Sequence, residues 1–514
     1  MTSLWHADAP ATPTDPFPDG GRFDHLVVGA GLTGLTTALL LARRGKSVAV
    51  LEARTVGAVA TGNTTAKLSQ LQGVKLQRVR SRNIRAVFDA YVASQRAAFE
   101  WMVDYLTERG VPFERRPAIT WAESPEQRDT VRREYEVARD AGLPVRWEED
   151  VALPTRGYGA VVLDDQVQFD PLEVLAALAA DVRAAGGVIV EGARVERLEL
   201  GSPVVAHTRL GRVSAPDAVL ATGTPQLLRG LYWAKVEAQR SYIVSFRVPE
   251  PSGDGDSAPG PTASGATAPH DTGMFLGAGD AAHSVRWHRG SLLVGGAGHT
   301  VGRQRAGFDP YGALEEWAQQ LWPGAEPTHR WSAQDYAAFS GIPFVGYLPR
   351  TRKRAYLATG YEKWGMTGAV AAALLLDADL EGRREGWQRV LGMRPTLPQT
   401  IGVGIGAGAA VAAWYARGYA GAVRDAVRSI RDGEPHVVPT AIVADETGAQ
   451  EVCLVCPHLG GIVRWNPAES TWDCPAHGSR FEATGRVIEG PATRGLSTRV
   501  LREEEAEVSA STSP

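Results

Sequence analysis

The chain has 514 residues, 44% of them hydrophobic and 22% charged, with a formal net charge of −4. That length predicts roughly two to four domains with cores of their own, and the composition excludes a disordered or collagen-like chain. The charge balance leaves no global basic footprint, so nucleic acid is not an expected partner.

Met1 to Phe23 is rich in Pro, Asp and Ala and lacks the basic and apolar blocks of a secretory signal, which points to a cytoplasmic protein. An apolar strand starts at His25, runs through a glycine turn into the helix Leu35–Ala42, and is followed by a second strand, Ser47–Leu51. This βαβ unit predicts a parallel sheet. The turn reads Gly29-Ala-Gly31-Leu-Thr-Gly34, and Glu52 closes the second strand. Gly29 makes the tight turn, Gly31 admits a pyrophosphate and Gly34 allows close helix–strand packing, while the helix amino end favours phosphate. Glu52 suits a ribose with both hydroxyls free, so the unit predicts a dinucleotide site.

Apolar residues at helical spacing predict an amphipathic helix over 84–106. A strand, Gln166–Phe169, precedes a helix, Pro171–Ala185. Residues 249–272, mostly Gly, Ser, Pro, Ala and Asp, read as a flexible insertion between strands of one sheet, Tyr242–Phe246 and Ser291–Gly295. Residues 395–416 carry no charge and Arg417, Arg424, Arg428 and Arg431 follow, so a membrane helix is conceivable by length. The Gly- and Ala-rich content favours a helix packed on the body of the protein. Its Gly402-Val-Gly404-Ile-Gly-Ala407 has no strand before it and is not expected to bind a nucleotide. After Asp432, short strand-like runs alternate with turns, as in a small all-β domain, and residues 503–514 read as a disordered tail.

All three cysteines fall between Cys453 and Cys474, too few for a disulfide framework and consistent with a reducing compartment. Cys456-Pro-His458-Leu-Gly460 and Cys474-Pro-Ala-His477-Gly-Ser479 suit a Rieske 2Fe–2S cluster, with Cys456 and Cys474 on one iron and His458 and His477 on the other. The alternative is a zinc ribbon built from Cys453, Cys456, Cys474 and His477. Cys453 sits in the apolar run Val452–Val455, where a buried strand cysteine is expected, and the prolines and glycines around the other ligands follow the Rieske pattern.

Residues 20–390 resemble the FAD-dependent oxidoreductases of the D-amino acid oxidase, glycine oxidase and sarcosine oxidase superfamily. The resemblance rests on Val27-Val-Gly-Ala-Gly-Leu-Thr-Gly34, Glu52-Ala-Arg54, Gly62-Asn-Thr-Thr-Ala-Lys67, Gln168-Phe-Asp-Pro171, Ala193-Arg-Val195, Ala221-Thr-Gly223 and Ala358-Thr-Gly-Tyr-Glu-Lys-Trp-Gly-Met-Thr367. It implies that Val195 offers backbone groups to the adenine and that Thr222 and Gly223 approach the cofactor. Asn63, Thr64, Thr65 and Lys67 would line the flavin or its phosphates, with Gly365, Met366 and Thr367 against the ring. No cysteine precedes Cys453, so a cysteinyl flavin is excluded and FAD is expected to be non-covalent. Several relatives carry a basic residue near the place of Thr367 to hold a substrate carboxylate; here that place is neutral. Glu434–Leu501 resembles Rieske domains, but Gly461 and Ala476 stand where many carry a loop-bridging disulfide, and Phe481 stands where high-potential members carry tyrosine.

The whole chain resembles FAD-dependent oxidoreductases with a C-terminal Rieske domain, and Ser3-Leu-Trp5 and Trp331-Ser-Ala-Gln-Asp335 fit that family. The implied fold is an α/β FAD-binding Rossmann-type domain of the glutathione-reductase-like class (21–92, 166–225 and 341–390) with an inserted α+β substrate domain (93–165 and 226–340). A helical linker (391–432) and an all-β Rieske domain (433–502) follow. The implied activity is oxidation of a C–N or C–O bond of a small molecule such as an amine or amino acid, with electrons passing between FAD and the cluster to an external one-electron acceptor or donor protein. An oxygen-using oxidase with a structural Rieske domain, or a non-catalytic electron-transfer adaptor, are the alternatives. Arg240, Tyr242, Arg286, His288, Tyr336 and Lys363 are the candidate substrate-site residues.

Overall fold

The computed structural model describes residues 2–9, 12–224, 229–249, 273–279, 282–392, 398–431, 439–445 and 448–501. The expected insertion at 249–272, apart from its first residue, and the expected tail at 503–514 therefore lie outside the described residues.

A six-stranded sheet runs in the order 344–347, 355–359, 217–220, 25–28, 48–51 and 188–190. All pairs are parallel except the antiparallel edge pair formed by 344–347 and 355–359. His25–Val28 and Val48–Leu51 are buried at every position, as strands covered on both faces must be. Helix Leu32–Ala42 buries all but one of its residues and packs on helices Pro171–Ala184 and Gly365–Leu380. The expected amphipathic helix is present as Arg85–Arg109 and ends on Gly110 in the left-handed conformation.

The second layer is a nine-stranded sheet, ordered 326–338, 236–247, 291–300, 284–288, 274–277, 113–121, 160–169 and 67–68, with 146–148 beside 160–169. It is antiparallel apart from the pairing of 274–277 with 113–121. Strand Ala160–Phe169 is longer than the Gln166–Phe169 expected and belongs to this sheet, pairing with 113–121. The exposed pair Asp164-Asp165 interrupts its apolar pattern, so only the second half reads as a strand.

Helix Pro398–Arg431 absorbs Gly402–Ala407, which explains why that string makes no phosphate turn. Its described side chains over 406–421 are exposed or half-buried, a departure from the helix packed on the body of the protein that composition suggested. It attaches instead by its second half: the Tyr415 and Tyr419 hydroxyls donate to the carbonyls of Leu459 and Gly460 at 2.7 and 2.8 Å. Among the described residues no helix is long and apolar enough to cross a membrane. The C-terminal unit has two antiparallel sheets, 440–445/448–453/498–500 and 464–466/471–473/480–482/487–489, around a core that includes Cys456, Trp472, Cys474 and Phe481.

Candidate active site

The glycine turn is built as its spacing demands. Gly29 has φ of +106°, and a Cβ there would stand 2.5 Å from the Ala221 carbonyl oxygen. A Cβ on Gly34 would stand 1.9 Å from the Gly29 carbonyl oxygen, so helix and strand touch only because position 34 is glycine. Gly31 precedes helix Leu32–Ala42 with no side-chain cap, which leaves the positive helix end for an anion. The Glu52 carboxylate accepts the N–H groups of Ala30 and Arg54, each at 2.8 Å. Burial pushes this carboxyl up in pKa, and the two N–H bonds oppose it.

Gly29, Gly31, Glu52, Val195, Thr222 and Gly223 line one cavity with Asn63, Thr64, Thr65 and Lys67, and Gly365 and Met366 close it. These residues form a cradle open to a nucleotide and shut to Cβ atoms, which fits FAD. Gly365 begins the uncapped helix Gly365–Leu380, so a second helix amino end faces the site. Lys67 donates to Phe275 O and Ser284 Oγ, both at 2.6 Å; burial, then the charge of Arg286, hold its pKa well below the usual lysine range.

Loop 61–65 is clamped from outside. Trp5 Nε1 donates to Thr64 O at 2.7 Å, Ser3 Oγ to Gly62 O at 2.7 Å, and Trp331 Nε1 to Asn63 O at 3.0 Å. The Ser3-Leu-Trp5 and Trp331 strings thus hold the backbone of a loop that lines the cavity, a role their spacing did not disclose. Trp5→Phe keeps the buried ring and deletes the bond to Thr64. It is expected to cost about 1 kcal/mol of stability, read as a lower denaturant midpoint, with weaker FAD retention.

Four expected site residues point elsewhere. Thr367 is fully buried and its hydroxyl donates to Ser69 O at 3.2 Å and accepts from Gln72 Nε2 at 3.0 Å, away from the cavity. Arg286 spends its guanidinium on the carbonyls of Thr65 and Ala66 at 2.6 and 3.0 Å, bracing the flavin loop rather than a substrate. His288 lies beside it, edge-on to Trp5 at 4.9 Å. Arg240 is fully buried, bonds Ser332 Oγ and Gln334 Oε1 at 3.0 and 2.7 Å, and faces Glu469 and Asp473 of the C-terminal unit at 3.9 and 3.7 Å. A buried arginine needs such partners, and here they come from the other domain. Tyr242, Tyr336 and Lys363 do line the cavity. Arg54, Arg194, Gln334 and the C-terminal residues Ile488, Glu489 and Gly490 also line it, and the sequence reading missed them as wall residues.

In the C-terminal unit, Cys456 and Cys474 are buried side by side and His458 and His477 face each other with ring centroids 5.1 Å apart. Cys474 hydrogen-bonds Cys456 and lowers its thiol pKa, with further help from the His458 and Leu459 N–H groups and Ser479; Cys474 is correspondingly raised. Burial lowers His458 to about 4 and, together with His458 and Arg303, lowers His477 to about 3, so both imidazoles are neutral and ready to ligate. Both ring nitrogens of His458 are buried without a hydrogen-bond partner. Among the described residues no three such side chains converge as a single-ion site requires; the donors form a thiol pair and an imidazole pair, the set a two-iron cluster takes. Cys453 is half-buried at the end of strand 448–453, somewhat more open than expected, and its N–H bonds Ser497 O.

A Cβ on Gly461 would stand 3.3 Å from Ala476 Cβ, near disulfide separation, yet neither residue is cysteine. Tyr415 and Tyr419 hold that loop instead. With no disulfide and with Phe481 fully buried in place of a hydroxyl donor, the cluster is expected to titrate in the low or middle part of the Rieske range, roughly −150 to +300 mV. A midpoint near the upper limit in a redox titration would contradict this.

Comparison with known proteins agrees with the two sites. Residues 24–378 match the FAD dependent oxidoreductase (DAO) family and residues 421–500 the Rieske [2Fe-2S] domain. The chain belongs to the DAO family of FAD-dependent oxidoreductases and carries a C-terminal Rieske domain, so its cofactors are FAD and a 2Fe–2S cluster. It is 27% identical to the putative Rieske 2Fe-2S iron-sulfur protein YhfW of Bacillus subtilis over 92% of both chains. Among solved structures it resembles glycine oxidase from Geobacillus kaustophilus, with TM-score 0.57 and 22% identity over 71% of this chain and 96% of that one. It also resembles L-proline dehydrogenase from P. horikoshii, with TM-score 0.56 and 16% identity over 72% and 96%.

Proposed function

We propose that the protein is a dehydrogenase that oxidises a C–N or C–O bond of a small molecule and delivers the electrons through its Rieske centre to an external one-electron acceptor. The seat of the ligand loop supports this most directly. The carbonyl of Gly478, next to His477, accepts from Gln334 Nε2 at 2.7 Å, and the same group donates to the Tyr336 hydroxyl at 2.8 Å. Gln334 and Tyr336 both line the flavin cavity, so the cluster loop and the flavin site share a wall. Bound FAD supplies two-electron oxidation and single-electron release, and the cluster carries one electron at a time.

The remaining work falls to side chains of this chain. Tyr242 and Tyr336 give the substrate an apolar, water-excluding wall, and Lys363 and Lys67 line the same cavity. Asp335 accepts the Lys363 N–H and fixes the turn that carries that lysine. The structural relatives named for glycine and L-proline favour a C–N bond. Anaerobic stopped-flow mixing with a panel of amines and amino acids tests the proposal. Flavin bleaching followed by appearance of the reduced-cluster EPR signal is expected. Rapid flavin reoxidation by oxygen without cluster turnover would make the protein an oxidase, and absence of bleaching across the panel would favour an electron-transfer adaptor.

A further inference from the structure

The flavin cavity has a wall that the flavoprotein fold does not provide. Ile488, Glu489 and Gly490, from the last strand of the Rieske domain's four-stranded sheet and the residue after it, line it together with Arg54, Arg194 and Thr222. Arg194 donates to the Val487 carbonyl at 3.3 Å, and the Tyr336 hydroxyl donates to the Gly490 carbonyl at 3.2 Å. A Cβ on Gly490 would stand 3.5 Å from Thr224 Cγ2, so this segment meets the turn after the Ala221-Thr-Gly223 strand end. Glu489 is buried there; burial pushes its carboxyl up to about 7, against the positive charges of Arg480, Arg240 and Arg54.

Further contacts hold the domain in that position. Glu469 accepts from the Tyr311 hydroxyl, and Arg240 lies between Glu469 and Asp473. Asn466 Nδ2 donates to the Tyr242 hydroxyl at 3.2 Å, and Arg303 Nε donates to the Pro475 carbonyl at 3.1 Å.

We propose that the Rieske domain is the lid of the flavin site: residues 487–490 close the nucleotide crevice over Arg54 and Arg194, so that bound FAD and the docked Rieske domain stabilise each other. Linkage requires the effect to be reciprocal, because whatever the lid adds to FAD affinity, FAD adds to docking. The lid also makes the presence of the cluster domain a condition of flavin retention, which goes beyond electron transfer between the two.

The test uses the full chain. Release of FAD is followed by the rise of free flavin fluorescence in the holoprotein and in Glu469→Gln and Tyr311→Phe, which loosen the docking contacts at residues that neither line the cavity nor are candidate cluster ligands. Release is expected to speed up roughly tenfold in both variants, with the EPR spectrum of the cluster unchanged. In parallel, amide exchange of residues 486–491 is compared with and without FAD and is expected to be slower with FAD. Exchange at these residues that is the same in the two forms, or FAD release that is unchanged in both variants, would overturn the proposal.

Discussion

Replacement of Cys474 by alanine is expected to abolish the 2Fe–2S absorbance and EPR signal and to open a separate melting step at low temperature. The two candidate thiol ligands are part of the core of their domain: Cys456 and Cys474 are packed with Val452, Val463, Trp472 and Phe481, and each cysteine is only 2% exposed. A domain below about 70–80 residues gains little from its own apolar core and commonly needs a disulfide or a metal centre. Here the disulfide is absent, since position 461 is glycine and position 476 alanine, so the cluster carries that burden together with the Tyr415 and Tyr419 bonds and the docking contacts. Without it the variant keeps buried thiol and imidazole groups that have lost their partner. Differential scanning calorimetry together with EPR checks both parts; a variant that melts as the parent does would show that docking on the flavoprotein body suffices to hold the domain.

Gly34→Ala is expected to yield protein with little or no flavin. The added Cβ falls 1.9 Å from the Gly29 carbonyl oxygen and 3.0 Å from its carbon, and both obstacles are backbone, so no side chain can swing away. Relief requires the helix Leu32–Ala42 to shift from the strand that ends at Val28, which moves the helix amino end and the Gly31 approach together. Such overpacking costs about 1–3 kcal/mol, and the upper part of that range corresponds to a loss of FAD affinity of roughly 100-fold. Flavin content by absorbance and the reconstitution affinity of the apoprotein measure the effect. A fully loaded variant would mean that the helix can shift without disturbing the phosphate cradle.

The residues legible in advance share one property: their chemistry is local in sequence. Gly29, Gly31 and Gly34 act on one turn and Glu52 on the next strand, where it accepts the N–H of Ala30. Cys456 with His458, and Cys474 with His477, sit in two short loops whose spacing and flanking prolines and glycines favour a two-thiol, two-imidazole set over the zinc ribbon. The misread residues have polar side chains whose partners are distant in the chain. Thr367 turns to Ser69 and Gln72, and Arg286 to Thr65 and Ala66. An arginine or threonine on an apolar element reads alike whether it faces a substrate or a backbone carbonyl some 200 residues away.

Local pattern alone therefore pointed to the glycine turn, the pairing of two thiols with two imidazoles and the order of an α/β flavoprotein followed by a small β domain. The tertiary structure alone decided that residues of both domains line one cavity. Arg240 is a candidate substrate residue until Glu469 and Asp473 are brought to within 3.9 and 3.7 Å of it, and Glu489 is an ordinary strand residue until it is buried in the wall of the flavin cavity. The physical reason is that periodicity and spacing specify which face of an element is buried, whereas the partner across a domain interface is chosen by burial of charge and hydrogen-bonding groups that meet only after both domains have folded.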